Sequence, residues 1–124
     1  MYQRALQGKE KAQGLDHTST LDTVSNFAAF YAEQGKLHEA EKMYQRALQG
    51  YEKAFGLEYV ARYRPALNTI SNLGDLLATQ GHPDEAKELY SRACTGFQAL
   101  LGPSSNEYQL TERKIIYLDT TQGK

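Results

Sequence analysis

One phrase of fourteen residues is written almost identically twice in this chain: residues 1–14 and residues 43–56 differ only where Lys9 and Gln13 give way to Tyr51 and Phe55. The two copies start 42 residues apart, and a third, more diverged copy runs from Leu89 through Tyr90, Arg92, Ala93 and Gly96 to Gly102, displaced by 46 residues from the second. A fixed period of roughly 20 to 50 residues marks a stacked-repeat architecture, in which each unit needs its neighbours to bury its apolar face. The period alone therefore makes a binding scaffold the leading functional expectation.

The length of 124 residues leaves room for about three such units, near the minimum for a stable array. Fourteen basic and 15 acidic residues nearly balance at a net charge of -1, so no field is expected that would draw phosphate backbones or an anionic membrane surface. Neither nucleic acid nor membrane is an expected partner. Cys94 is the single cysteine and cannot form an internal disulfide. No apolar run approaches the roughly 20 residues of a membrane span, and no leader of basic, apolar and small residues opens the chain. The expectation is a soluble, cytoplasmic protein of a reducing compartment.

In chain order, Met1 to about Gln13 predicts a helix that is the second half of a repeat lacking its first half, residues 1–14 in all. Lys9 and Gln13 let its last turns bury less than their later counterparts. Ser19 and Asp22 have the spacing of a capping box for a helix over about Thr20 to Gln34, whose Val24, Phe27, Ala28 and Tyr31 share one face. Gly35 ends it, and Leu37 to Phe55 is its partner, burying Ala40, Met43, Tyr44, Ala47, Leu48 and Tyr51. Residues 18–56 thus form one hairpin. After a connector from Gly56 to Arg64, residues 65–102 form the next. Pro65 starts its first helix, with Ile70, Leu73, Gly74 and Leu77 inward. Pro83, Asp84 and Glu85 open its second, with Ala86, Leu89, Tyr90, Ala93, Cys94 and Phe97 inward.

Ser104 and Glu107 again have capping-box spacing and lead into a helix of about Ser105 to Asp119. Gln122-Gly123 stands 42 residues after Gln80-Gly81, so this helix occupies the place of another first helix. Ile116 replaces the small Ala28 and Gly74, and Asp119 replaces the apolar Tyr31 and Leu77. Residues 104–120 are therefore expected to cap the array.

The spacing Val24-x2-Phe27-Ala28-x2-Tyr31 then Ala40-x3-Tyr44, and its copy Ile70-x2-Leu73-Gly74-x2-Leu77 then Ala86-x3-Tyr90, resembles the tetratricopeptide pattern, with Val or Ile at the usual Trp position. The 42-residue period, Asn26 and Asn72, and the Gly-x-Asp-His loop resemble the kinesin-light-chain type of that repeat. The near-identity of residues 1–14 and 43–56 is similar to the recently duplicated arrays at the C-terminal end of fungal nucleotide-binding receptor-like proteins. The resemblance implies an all-α, right-handed α-solenoid of helix-turn-helix hairpins with a C-terminal capping helix. It also implies a concave groove, lined by the first helices, that binds an extended peptide or partner segment.

The helical wheel points to the same surface. With Val24, Phe27, Ala28 and Tyr31 inward, the opposite side carries Asp22, Ser25, Asn26, Ala29 and Glu33, and the next unit repeats this with Asn68, Ser71, Asn72, Asp75 and Thr79. These ten residues are the candidate peptide-binding set, against the plainer reading of a solvated helix face. The amides of Asn26 and Asn72 can both donate to and accept from a ligand backbone. Asp22, Glu33 and Asp75 would favour a ligand with positive charge. An alternative role is structural, as an end module of a longer array that self-associates through its incomplete N-terminal repeat.

Catalytic chemistry finds no footing. His17, His38 and His82 lie in separate turns without metal-ligand spacing, Cys94 matches Leu48 and reads as a small core residue, and neither a phosphate loop nor a dinucleotide fingerprint is present. The expectation is a non-enzyme with no catalytic residue, metal or cofactor. Tyr59-Val-Ala-Arg62-Tyr63-Arg64 alternates aromatic and basic residues, a pattern that could stack on a base or grip an acidic partner, but more simply packs its tyrosines on the neighbouring hairpin. Gly8, Gly50 and Gly96 recur at one position of the second helices, where each costs about 1 kcal/mol relative to Ala. They mark either close helix approach or a relic of duplication.

Overall fold

The computed structural model describes the backbone of residues 18–122, which form five helices and no strand. They are α1 (Thr18–Glu33), α2 (Leu37–Val60), α3 (Arg64–Thr79), α4 (Pro83–Leu101) and α5 (Asn106–Gln122). The expected leading helix over Met1 to Gln13, Gly8, His17 and the side chain of Ser19 lie outside the described residues. The chain divides into two compact units, one ending at Val60 and one running from Ala61 to the end.

The first unit is the α1–α2 hairpin. Leu21, Val24, Phe27 and Ala28 from α1 and Ala40, Tyr44, Ala47, Leu48 and Tyr51 from α2 are buried, the faces set by the 3.6-residue period. Tyr31 and Met43 are half-buried. The turn is built by Gly35, whose φ of 81° is left-handed. It lets the Lys36 N–H reach the Tyr31 carbonyl at 2.9 Å and the Gly35 N–H reach Ala32 at 3.0 Å, the pairing of a Schellman stop. Lys36 then accepts from the Ala40 N–H at 3.0 Å, so one residue closes α1 and opens α2.

The second unit repeats this arrangement and adds α5. The Gly81 turn has the same two bonds, from the His82 N–H to Leu77 at 2.8 Å and from Gly81 to Ala78 at 3.2 Å. Ala66, Leu67, Ile70, Leu73, Leu76 and Leu77 from α3 pack on Ala86, Tyr90, Ala93, Cys94 and Phe97 from α4. Pro sits at the start of both α3 and α4, where its missing N–H has no helical acceptor to lose. The third helix, α5, buries only Thr111 and Leu118 among its described residues.

The recurrent glycine of the second helices is a packing feature. A Cβ on Gly50 would lie 2.4 Å from the Leu21 side chain, and one on Gly96 would lie 2.4 Å from Leu67 and 2.8 Å from the Ala61 carbonyl oxygen. At Gly96 a neighbouring backbone atom leaves no room for a side chain, whereas at Gly50 the crowding atoms all belong to the Leu21 side chain.

Three local expectations need correction. The connector begins later than Gly56, because after a break there (φ 81°, ψ 160°) the chain resumes a helical turn that ends at Val60, itself fully buried. Tyr59 is 54% exposed, with its ring tilted against Phe55 at 4.9 Å in its own helix. The start of α5 is capped by Ser105, whose Oγ accepts from the Tyr108 N–H at 3.1 Å, while Glu107 is taken by an ion pair with Arg64.

Candidate functional site

The ten candidate residues fall into two sets, one on each unit. On α1, Asn26 and Glu33 are exposed, while Asp22, Ser25 and Ala29 are half-buried. Asp22 accepts a hydrogen bond from the Tyr51 hydroxyl. On α3, Asn68, Asn72 and Thr79 are exposed, Asp75 is half-buried, and Ser71 is buried at 7% exposure, on the flank that turns into the core. The Thr79 hydroxyl donates back to the Asp75 carbonyl at 2.9 Å.

Asp75 is the best-connected of the ten. The Tyr90 hydroxyl of α4 donates to its Oδ1 at 2.6 Å, and the Lys114 ammonium of α5 lies 2.9 Å from the same oxygen and 3.2 Å from Oδ2, with Lys114 also 5.5 Å above the centre of the Tyr90 ring. One carboxylate thus ties together all three helices of the unit. The first unit places its tyrosine–aspartate bond elsewhere, at Asp22 and Tyr51, whose counterparts in the second are Asn68 and Phe97. In the second unit both the acceptor and the hydroxyl of that pair are absent.

Burial pushes the Tyr90 hydroxyl above its ordinary pKa of 10.0, and the hydrogen bond to Asp75 pushes it further. The folded protein therefore holds this proton to higher pH than the unfolded chain does. The stability gained is complete below about pH 10 and is lost as pH rises beyond it. A Tyr90→Phe protein should lose about 1 kcal/mol near neutrality, the net value of one hydrogen bond. Its urea midpoint should also fall less steeply than the parent's between about pH 9.5 and 11.5.

Asp75 and Thr79 open onto a cleft of about 370 Å³ within the second unit, lined on the α5 side by Leu110, Arg113, Lys114, Tyr117 and Leu118. Leu110 and Tyr117 are 52% and 68% exposed, large values for such apolar and aromatic groups. Arg113 is exposed and makes no ion pair among the described residues. Lys114 offsets Asp75, so the cleft carries the uncompensated charge of Arg113. Of the three acids expected to favour a cationic ligand, Asp22, Glu33 and Asp75, the last is already paired with Lys114.

The α5 lining was missed by the sequence reading although a signal for it was present. Adding the 42-residue period to Asn68, Ser71, Asn72 and Asp75 gives Leu110, Arg113, Lys114 and Tyr117. The first-helix face therefore continues onto α5 with changed chemistry, from amides and a carboxylate to two cations, a leucine and a tyrosine.

Among the described residues no cluster of three His, Cys, Asp or Glu side chains is placed to hold a metal, and no helix is long and apolar enough to cross a membrane. Cys94 is buried, with its Sγ 3.9 Å from the Tyr108 carbonyl; burial and then the charge of Glu112 push its thiol pKa up, the opposite of an activated nucleophile. His38 and His82 are exposed, and His82 lies 3.5 Å from Glu85 within one turn.

A profile of the tetratricopeptide repeat matches residues 1–53 and 20–99. No curated protein sequence matches significantly. Of the solved structures with the same fold, the crystal structure of BtubC (BKLC) from P. vanneervenii aligns at a TM-score of 0.83 with 19% identity, covering 98% of this chain and 47% of that one. The chain thus spans about half the length of that protein, and at this identity the likeness speaks for the fold. With the all-helical hairpins, the repeat length and the matched residues in hand, the chain belongs to the tetratricopeptide repeat family.

Proposed function

We propose that the chain is a non-enzymatic protein-interaction module that binds an extended partner segment along the polar first-helix face of its second unit, with the α3–α5 cleft as the principal anchoring point. Tetratricopeptide repeats are protein-interaction scaffolds, and this chain continues the first-helix face across α5. The observation that carries the reading is the exposed grouping of Leu110 and Tyr117 beside Arg113, which has no ion pair among the described residues. Exposed apolar groups rimmed by polar ones mark interaction surfaces. Their chemistry suits an extended segment that presents an apolar or aromatic side chain next to a carboxylate. Asn72 and Thr79, exposed on the same helix face as Asp75, supply partners for the backbone of such a segment.

A fluorescence-anisotropy titration with ten-residue peptides bearing an aromatic residue beside Asp or Glu tests this directly. Arg113→Glu should weaken binding by tenfold or more, in line with the roughly 2 kcal/mol or greater cost of losing and reversing a charge at a binding hot spot. Tyr117→Ala should weaken it by a similar factor. Substituting Glu88 or Ser91, exposed on α4, should leave it unchanged. Loss of binding from the α4 substitutions, with Arg113→Glu and Tyr117→Ala neutral, would place the site on the other side of the hairpin.

A further inference from the structure

The helix α5 is attached to the α3–α4 hairpin in an unusual way. The helix α3 buries nine residues and α4 six, whereas α5 buries Thr111 and Leu118 alone among its described residues. Polar links join it to the hairpin along its length. Near its start Glu107 pairs with Arg64 of α3, in its middle Lys114 pairs with Asp75 of α3, and towards its end Asp119 pairs with Lys87 of α4. Two of the positions where the repeat would place apolar contacts are polar instead, with Glu112 standing where Ile70 does and Asp119 where Leu77 does, while Ile115 and Leu118 keep the apolar character of Leu73 and Leu76.

We infer that α5 is an ionic latch: a helix held on the hairpin chiefly by these three ion pairs, which opens as a unit when they are screened or neutralised, while α3 and α4 stay paired. The inference needs no ligand and so stands apart from the proposed function. It bears on the same site, because α5 supplies one wall of the cleft and its opening would dissolve it. All three pairs are partly solvent-exposed, with side-chain exposures between 27% and 55%. At that exposure salt weakens them, since the screening length falls from about 30 Å at 0.01 M to about 3 Å at 1 M. Salt does not weaken apolar contacts and tends to strengthen them. Salt dependence therefore separates a helix held by charge from one held by burial.

The chain contains its own reporter. Cys94 is the single cysteine, it is buried, and its Sγ lies 3.9 Å from the carbonyl of Tyr108 on α5. Lifting α5 exposes it. The experiment measures the labelling rate of Cys94 by a maleimide from 20 mM to 1 M NaCl, with hydrogen exchange of α3, α4 and α5 followed by mass spectrometry in the same samples. The rate and the exchange of α5 should rise together by about tenfold, the size that three exposed ion pairs sum to, while α3 and α4 stay protected. A protein carrying Arg64→Gln, Lys87→Gln and Lys114→Gln should label at the high-salt rate already in 20 mM NaCl and show no further dependence. A labelling rate that is flat or falls with salt in the parent protein would overturn the inference, as would loss of protection in α3 and α4 at the same salt concentration as in α5. Should the triple variant fail to fold, the salt series on the parent protein decides alone.

Discussion

A Phe97→Ala protein should lose about 3–5 kcal/mol of stability in its second unit, the range for removing a fully packed aromatic ring from a core. Phe97 is 2% exposed and is, with Tyr90, one of two aromatic rings that α4 places in that unit's core. A domain of this size has only about 5–15 kcal/mol in total, so one ring is a large fraction of what holds the hairpin. With no tryptophan in the chain, the transition is best followed by far-ultraviolet circular dichroism in urea. The substitution should lower the midpoint of the transition and, if the units unfold separately, leave a residual transition from the first unit. A change below about 1 kcal/mol would mean that the ring is not packed as described.

The second large effect is expected at Gly96. Alanine there gains about 1 kcal/mol of helix propensity, yet its Cβ would sit 2.8 Å from the Ala61 backbone carbonyl as well as 2.4 Å from Leu67. A backbone atom cannot rotate aside, so α4 and the segment entering α3 must part, at an overpacking cost of about 1–3 kcal/mol. Gly50→Ala is the matched control. Its nearest neighbours are all atoms of the Leu21 side chain, which can change rotamer, so the net effect there should be smaller. Urea midpoints of the two variants compare the costs. Equal destabilisation would show that side-chain crowding alone, and not the carbonyl, sets the requirement for glycine.

The repeat made the hairpins legible before any coordinates. The inward faces at Val24, Phe27 and Ala28 and, 46 residues on, at Ile70, Leu73 and Gly74 agree with the buried residues of α1 and α3. Turn glycines at Gly35 and Gly81 ended the first helices within about two residues of where they stop. What escaped were facts that depend on partners distant in sequence. Whether Gly50 and Gly96 were relics or requirements depends on Leu21, Leu67 and Ala61, which no local pattern connects to them. Asp75 looked like an open carboxylate because its partners Tyr90 and Lys114 lie 15 and 39 residues away. The α5 wall of the cleft was hidden by its altered chemistry. Leu110, Arg113 and Tyr117 sit in the register of Asn68, Ser71 and Asp75, but a search for amides and carboxylates passes over them.

The central claim is that the first-helix face, with its anchor in the α3–α5 cleft, is where a partner segment binds. Its most direct test is the amide spectrum of the isotope-labelled protein, recorded with and without an extended peptide that carries an aromatic residue beside an acidic one. The chemical-shift changes should centre on Asp75, Thr79, Leu110, Arg113 and Tyr117, spreading towards Asn72 and Asn68, and vanish in Arg113→Glu. Changes centred instead on the exposed residues Gln45, Glu88, Ser91 and Thr95 of the second helices would contradict it.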